Sequence, residues 1–314
     1  MRLGLGILGA GHFGRFHALK AAAGERTRLV GVHDADPARA AAVAAETGAP
    51  AMPAEALIAA ADALIIAAPT AAHRDLALAV LAAGKPVFVE KPLAGSLAEA
   101  EEIVAAAAAR GLPLQVGHIE RFSAAFAAVA AAHAAGGRAW HYHALRMAPF
   151  RRRSLDISVV LDLMIHDIDL ILALEGAEPV AVSAAGRRIA SGRLDQVVAR
   201  LDFPSGARAE IAASRASTAL ERRLRVLTEE GEMSVDFLAR SLSVLRRGGA
   251  EALPEMPGFG LEQARWSDHD SLAAEQAAFA AAVLDGAPVA VDGTTALKAL
   301  RVALAVEAAA SAAG

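Results

Sequence analysis

LGLGILGAGHFG, residues 3–14, starts as an apolar run and ends as a glycine-spaced turn. Leu3 to Leu8 reads as a buried strand, and Gly9-Ala10-Gly11-His12-Phe13-Gly14 is a G-x-G-x-x-G placed where strand gives way to helix. Glycines at that spacing permit a tight turn and close backbone approach, and the helix N-terminus offers N–H groups to a phosphate. Asp34 ends the next apolar run, LVGVHD, about 20 residues after Gly14, where a carboxylate can accept hydrogen bonds from an adenosine ribose. No basic residue follows Asp34 before Arg39, so a 2′-phosphate would meet a negative charge. NAD is favoured over NADP.

Outward from this stretch, the chain to about Gly117 alternates short apolar runs (LVGVHD, ALIIAAP, PVFVEKP, LPLQVGH) with alanine-rich helical sequence. That alternation defines an α/β domain with a doubly wound parallel sheet over residues 1–118, its strands apolar on both faces because helices cover both. Ser96 and Glu99 form a capping box for a helix running toward Arg110, and Gly111 sits where such a helix ends. From residue 119 to 314 the pattern changes to an α+β domain. Helices are expected near Phe122 to His133, Ser158 to Leu174, and from Asp270 and Thr294. RAWHYHALRM, PVAVSAAGRRI, QVVARLDF, ARAEIAAS, RRLRVLTEE and SLSVLRR read as strands of a mostly antiparallel sheet. Gly248 to Gly260 reads as a long surface loop.

Composition bounds the function. The 314 residues suit two domains; aromatics are only 4% of the chain and net charge is −4, with a pI near 6.2. Basic residues are dispersed, which argues against a nucleic-acid footprint. With no cysteine, disulfides and thiolate chemistry are excluded. The N-terminal apolar run is followed by His12, Arg15, His17 and Lys20, so it reads as strand and helix rather than a secretory signal. No stretch reaches the roughly 20 apolar residues of a membrane span, and a cytoplasmic protein is expected.

Two further motifs carry charge into apolar surroundings. Glu90-Lys91-Pro92 follows PVFV at the carboxyl end of a parallel strand, where ligands of open sheets bind; Pro92 restricts Lys91 to extended geometry, and the pair is expected to face the cofactor crevice. In VVLDLMIHDIDLIL, residues 159–172, Asp162, His166 and Asp169 share a helix face by i, i+4, i+7 spacing while Asp167 points elsewhere. Burial of these groups needs pairing or a polar ligand. One histidine and two carboxylates with no further ligand in the sequence do not make a metal site, and no metal is expected.

The fingerprint, Glu90-Lys91-Pro92 and Asp162-x-x-x-His166-x-x-Asp169 together resemble the glucose-fructose oxidoreductase, inositol dehydrogenase and MocA family, a likeness reinforced by Pro69-Thr70 with His73, by AAGKPVFVEKPLAG, by Glu275 to Phe279 and by PVAVDG. The resemblance implies a Rossmann domain and a C-terminal domain whose open sheet serves as a homodimer or homotetramer interface. It implies catalysis by Lys91, Asp162 and His166: His166 as base toward a secondary alcohol, Asp162 orienting it, Lys91 on the reacting oxygen. Gly9, Gly11, His12, Phe13, Gly14, Asp34, Pro69, Thr70, His73, Glu90 and Lys91 would bind NAD. VGHIERF and VVLDLMIHDIDLI look most like the branch oxidising the 3-hydroxyl of UDP-N-acetylated sugars, whose 3-keto product goes to an aminotransferase in lipid A biosynthesis. Arg121, Arg146, Arg153 and Asp169 would bind that substrate, since arginine suits a diphosphate. A dehydrogenase of a free sugar or polyol such as an inositol is the alternative, and a non-catalytic NAD-binding regulator the alternative of another class.

Overall fold

The computed structural model describes residues 1–152, 155–267 and 269–312. The elements run β1 (Leu3–Leu8), α1 (His12–Ala23), β2 (Thr27–His33), α2 (Pro37–Thr47), α3 (Ala54–Ala60), β3 (Ala63–Ile66), α4 (His73–Ala82), β4 (Val87–Glu90), α5 (Leu97–Arg110), β5 (Leu114–Gly117), α6 (Ala124–Ala135), β6 (Ala139–Met147) and α7 (Ile165–Glu175). Then come β7 (Ala181–Arg187), β8 (Gln196–Asp202), β9 (Arg208–Ser214), β10 (Glu221–Thr228), β11 (Gly231–Asp236), β12 (Ser241–Arg247), β13 (Glu251–Ala252), β14 (Phe259–Arg265), α8 (Ser271–Asp285) and α9 (Gly293–Ala312). They fall into two compact units, Met1–Ile119 with Asp270–Leu297, and Glu120–His269 with Lys298–Gly314. The division at residue 118/119 is therefore corrected in one respect: the chain returns, and α8 is part of the first unit. No helix among the described residues is long and apolar enough to cross a membrane.

The first unit carries a parallel sheet in the order β2-β1-β3-β4-β5. Every residue of β1, β3, β4 and β5 is buried, as helices on both faces require. The order reverses at β1, so the ends of β1 and β3 flank the crevice where ligands of such sheets bind. The core joins Leu5, Ile7, Val32, Ile65 and Phe88 to Phe279 of α8, and the Phe88 and Phe279 rings meet edge to face at 5.9 Å. The part α8 plays in this core was hidden from sequence because an alanine-rich helix fits either domain. The capping box at α5 is present, Ser96 Oγ accepting from Glu99 N and Glu99 accepting from Ser96 N, with Gly111 left-handed at the other end.

The second unit is built on nine strands in the order β13-β14-β12-β11-β10-β6-β9-β8-β7. Neighbours are antiparallel except β6 and β9, which run parallel. Period-two patterning is plain in β8, where Val197, Val198 and Ala199 alternate buried, exposed, buried. On the polar face, ion pairs cross from strand to strand: Arg223 to Asp236 and Arg225 to Glu232. The expected surface loop at 248–260 is instead a closed hairpin end, with β13 paired to β14 and a Cβ at Gly249 meeting Gly260 O at 2.4 Å. Gly249 and Gly260 reflect close backbone packing, whereas Gly248 and Gly258 take positive φ with nothing within 4 Å.

Candidate functional site

The glycine turn after β1 divides its work among three residues. Gly9 has φ +107°, and a Cβ there would lie 2.6 Å from the Ala67 backbone beyond β3. A Cβ on Gly14 would strike Gly9 O at 1.8 Å, so α1 leaves the sheet too closely for any side chain. Gly11, by contrast, faces nothing within 4 Å, and as N-cap of α1 it contributes no side-chain hydrogen bond. The N–H groups of the first turn are thereby left for an anion. Asp34 Oδ2 accepts Ala10 N at 2.7 Å and Oδ1 accepts Asp36 N at 2.8 Å, fixing the ribose-side carboxylate against the loop, while Arg39 pairs with it at 3.2 Å. His12 is exposed, its ring edge-on to Phe13 and Phe16. These features fit a dinucleotide: pyrophosphate over Gly11 and the start of α1, ribose at Asp34.

Beyond β3, Pro69 leads into a single 3₁₀ turn, Thr70–Ala72, and then α4. His73, the first residue of α4, is buried, with Nδ1 at 2.9 Å from Pro92 O and Nε2 at 2.9 Å from Ala68 O. Burial pushes its imidazole below the usual histidine range, against the pull of those two carbonyls and of Glu90. His73 ties the end of β3 to the turn after β4, so its expected role as a cofactor ligand is corrected to a brace behind the cofactor turn. The Lys91-Pro92 peptide bond is cis. Glu90 also turns inward: it sits over Gly117, where a Cβ would meet Glu90 Oε2 at 2.9 Å, and it accepts from His17 Nε2 at 2.8 Å and from Lys91 N at 3.2 Å. It supports Lys91 rather than presenting its carboxylate to the crevice.

In the second unit the helix carrying Asp162 and His166 opens with a five-residue π-helical turn, Val160–Met164, in which Ile165 N reaches Val160 O. The widened turn contains Asp162 and ends just before His166, and π-turns of this kind gather at functional sites. Asp162 is buried and His166 partly buried. The two aspartates that follow are each held by an arginine. Arg121 grips Asp169 with two hydrogen bonds, 2.7 and 3.0 Å. Arg146, only 2% exposed, grips Asp167 at 2.8 and 3.0 Å and Glu120 at 3.0 Å. Burial opposes the Arg146 charge, and Asp167 and Glu120 more than restore it. Arg146 is therefore corrected from a substrate ligand to a buried cation that fixes α7 on β6, and Arg121 and Asp169 are partners of each other. Arg153 lies outside the described residues. Glu120, His17 and Gln276 were not singled out from sequence, and Asp167 was set apart there only as pointing elsewhere; Glu120 beside Arg121 in HIERF was the available signal.

A dinucleotide turn on a switched parallel sheet is the fold of an NAD-binding oxidoreductase, and the relatives that follow make the class an NAD-dependent dehydrogenase. Residues 3–118 match the oxidoreductase family with NAD-binding Rossmann fold and residues 123–234 the GFO/IDH/MocA C-terminal domain; the chain belongs to this family. UDP-N-acetylglucosamine 3-dehydrogenase of Acidithiobacillus ferrooxidans is 40% identical over 96% of this chain and 95% of its own. The inositol 2-dehydrogenase of Rhizobium meliloti is 31% identical over 96% and 95%. A solved structure of the A. ferrooxidans enzyme matches with TM-score 0.92 at 39% identity, covering 100% of this chain and 99% of that one. A protein of gentamicin A biosynthesis solved in complex with NAD matches at 0.84 and 25% identity over 99% and 94%.

Proposed function

We propose that the chain oxidises the 3-hydroxyl of a UDP-N-acetylated amino sugar, with Lys91, Asp162 and His166 as its catalytic residues. The observation that carries this reading is the 40% identity, along nearly the whole chain, to a UDP-N-acetylglucosamine 3-dehydrogenase. Bound NAD supplies the hydride acceptor. His166 takes the hydroxyl proton, and a histidine is suited to this because its charge changes near neutral pH. Asp162 holds the imidazole in orientation and favours its charged form. Lys91 donates to the reacting oxygen and steadies the negative charge that grows there. Gly9, Gly11 and Gly14 seat the pyrophosphate and Asp34 the ribose.

In this reading the resulting ketone passes to an aminotransferase, in a cytoplasmic route to an amino sugar of lipid A. The open sheet of the second unit would serve as the surface of a homo-oligomer. The inositol reading is kept because of the R. meliloti relative. The two separate on one measurement: UDP alone competes with a UDP sugar and leaves inositol oxidation unaffected. Lys91→Ala is expected to lower turnover by about a hundredfold to ten-thousandfold while leaving NAD affinity nearly intact; unchanged turnover would count against the assignment.

A further inference from the structure

Beneath the Lys91 turn, the first unit buries polar side chains to which the reaction assigns no part. Gln276 Nε2 lies 2.9 Å from His17 Nδ1 and 3.0 Å from the His17 carbonyl oxygen. A carbonyl oxygen only accepts, so the group facing it is the amide nitrogen, and His17 Nδ1 is its second acceptor. The imidazole proton is then on Nε2, and a neutral His17 donates it to Glu90 Oε1 at 2.8 Å. Glu90 Oε2 accepts the main-chain N–H of Lys91 at 3.2 Å. Both Glu90 oxygens accept, as a carboxylate does.

Glu275, one residue before Gln276 on α8, stands in the opposite situation. It is 0% exposed, and among the described residues neither of its carboxyl oxygens has a hydrogen-bond partner. Gln115 donates to the Glu275 carbonyl at 3.0 Å, leaving the carboxyl unserved. An anion there would be buried without a donor beside a second anion.

We propose that Glu90 is a positioning residue for Lys91 and that buried Glu275 is its protonated neighbour. His17 and the Lys91 N–H keep Glu90 as the anion, and the proton resides on Glu275. The proposal rests on the reading of Lys91 as a catalytic residue. Burial first, and then the charge of Glu90, push the Glu275 carboxyl well above the usual carboxylate range, and paired acids whose surroundings differ divide their protons in this way. Other titratable groups tied to Glu90 by contact or charge are His17 from α1, His73 from α4 and, through its main-chain N–H, Lys91 after β4; His118 is buried one residue past β5, and β1 presents only glycine, leucine and isoleucine. Loss of the Glu275 proton places a second negative charge in this cluster and alters the hold on Lys91.

The chain has four lysines, Lys20, Lys85, Lys91 and Lys298, so carbon-13 labelling at lysine Cε gives four signals, and Lys91→Ala identifies one of them. In the wild-type protein the Lys91 signal is expected to move in a step lying between the ordinary glutamate and lysine values, about 4.3 and about 10.4. In Glu275→Gln, and in Glu275→Met should the amide fail to fold, that step disappears, and with it an inflection at the same pH in kcat. Absence of the step in the wild type, or its survival in either variant, overturns the proposal. Glu90→Gln should lower kcat on the order of tenfold to a hundredfold with KM for NAD nearly unchanged; a fall in Tm with kcat intact would also overturn it. Full turnover by Lys91→Ala would defeat the catalytic reading of Lys91 while the Glu275-dependent step stood, so the two failures are distinguishable.

Discussion

Glu275 bears on stability as well as on Lys91. Its carboxyl is raised in the folded chain, so above about pH 4.3 the folded state binds more protons than the unfolded state. Stability therefore falls as pH rises from there toward the folded value. Glu275→Gln should flatten that slope and raise Tm at neutral pH, as calorimetry across pH would show; an unchanged slope would place the cost elsewhere. Asp195 works in the other direction. Burial opposes its charge, yet Ser191, Arg215 and the N–H groups of Ile189 and Ala190 outweigh burial and hold it well below the usual carboxylate range. Its contribution is full above about pH 4 and is lost as pH falls through the folded value. Asp195→Ala removes a carboxylate 2.8 Å from buried Arg215 and should cost about 3–5 kcal/mol in urea titration at neutral pH. Neither carboxyl could be placed from sequence, because a donor set is a property of chain segments brought together from far apart.

Among the elements, the β1–α1 turn was the most legible, since each glycine answers a local demand. The structure adds which demand is which. Gly14→Ala forces a Cβ into Gly9 O and should destabilise the first unit, seen as a lowered Tm without cofactor. Gly11→Ala meets nothing within 4 Å and has φ −71°, open to any residue. It should fold normally and weaken NAD binding by about tenfold or more, equivalent to about 1.4 kcal/mol, as titration calorimetry would report. Equal effects of the two substitutions would contradict the division of roles. The helix bearing Asp162 and His166 was legible as a helix, while the π-turn that opens it was not. Its apolar residues run almost continuously from Val159 to Leu161, which leaves no periodicity to mark the extra residue of a π-turn. Arginines suffered likewise: a guanidinium for a diphosphate and one for Asp167 look alike until the partner strand is in place.

For the molecule as a whole, the parallel half was readable because buried strands and capped helices repeat at short range. The antiparallel half was readable in part: β6, β7, β8, β9, β10 and β12 were recognised, while β11 and β14, with turn-rich surroundings, were not. The return of α8 to the first unit had no local signature, since what places it there is Phe279 on Phe88 and Gln276 on His17. What the chain does with its NAD site depends on the substrate. The most direct test is NADH formation by the purified protein with UDP-N-acetylglucosamine and with myo-inositol in parallel, each with a carbonyl trap to draw off the ketone. The account predicts turnover with the UDP sugar, abolished by Lys91→Ala and inhibited by UDP; turnover with inositol alone would contradict it.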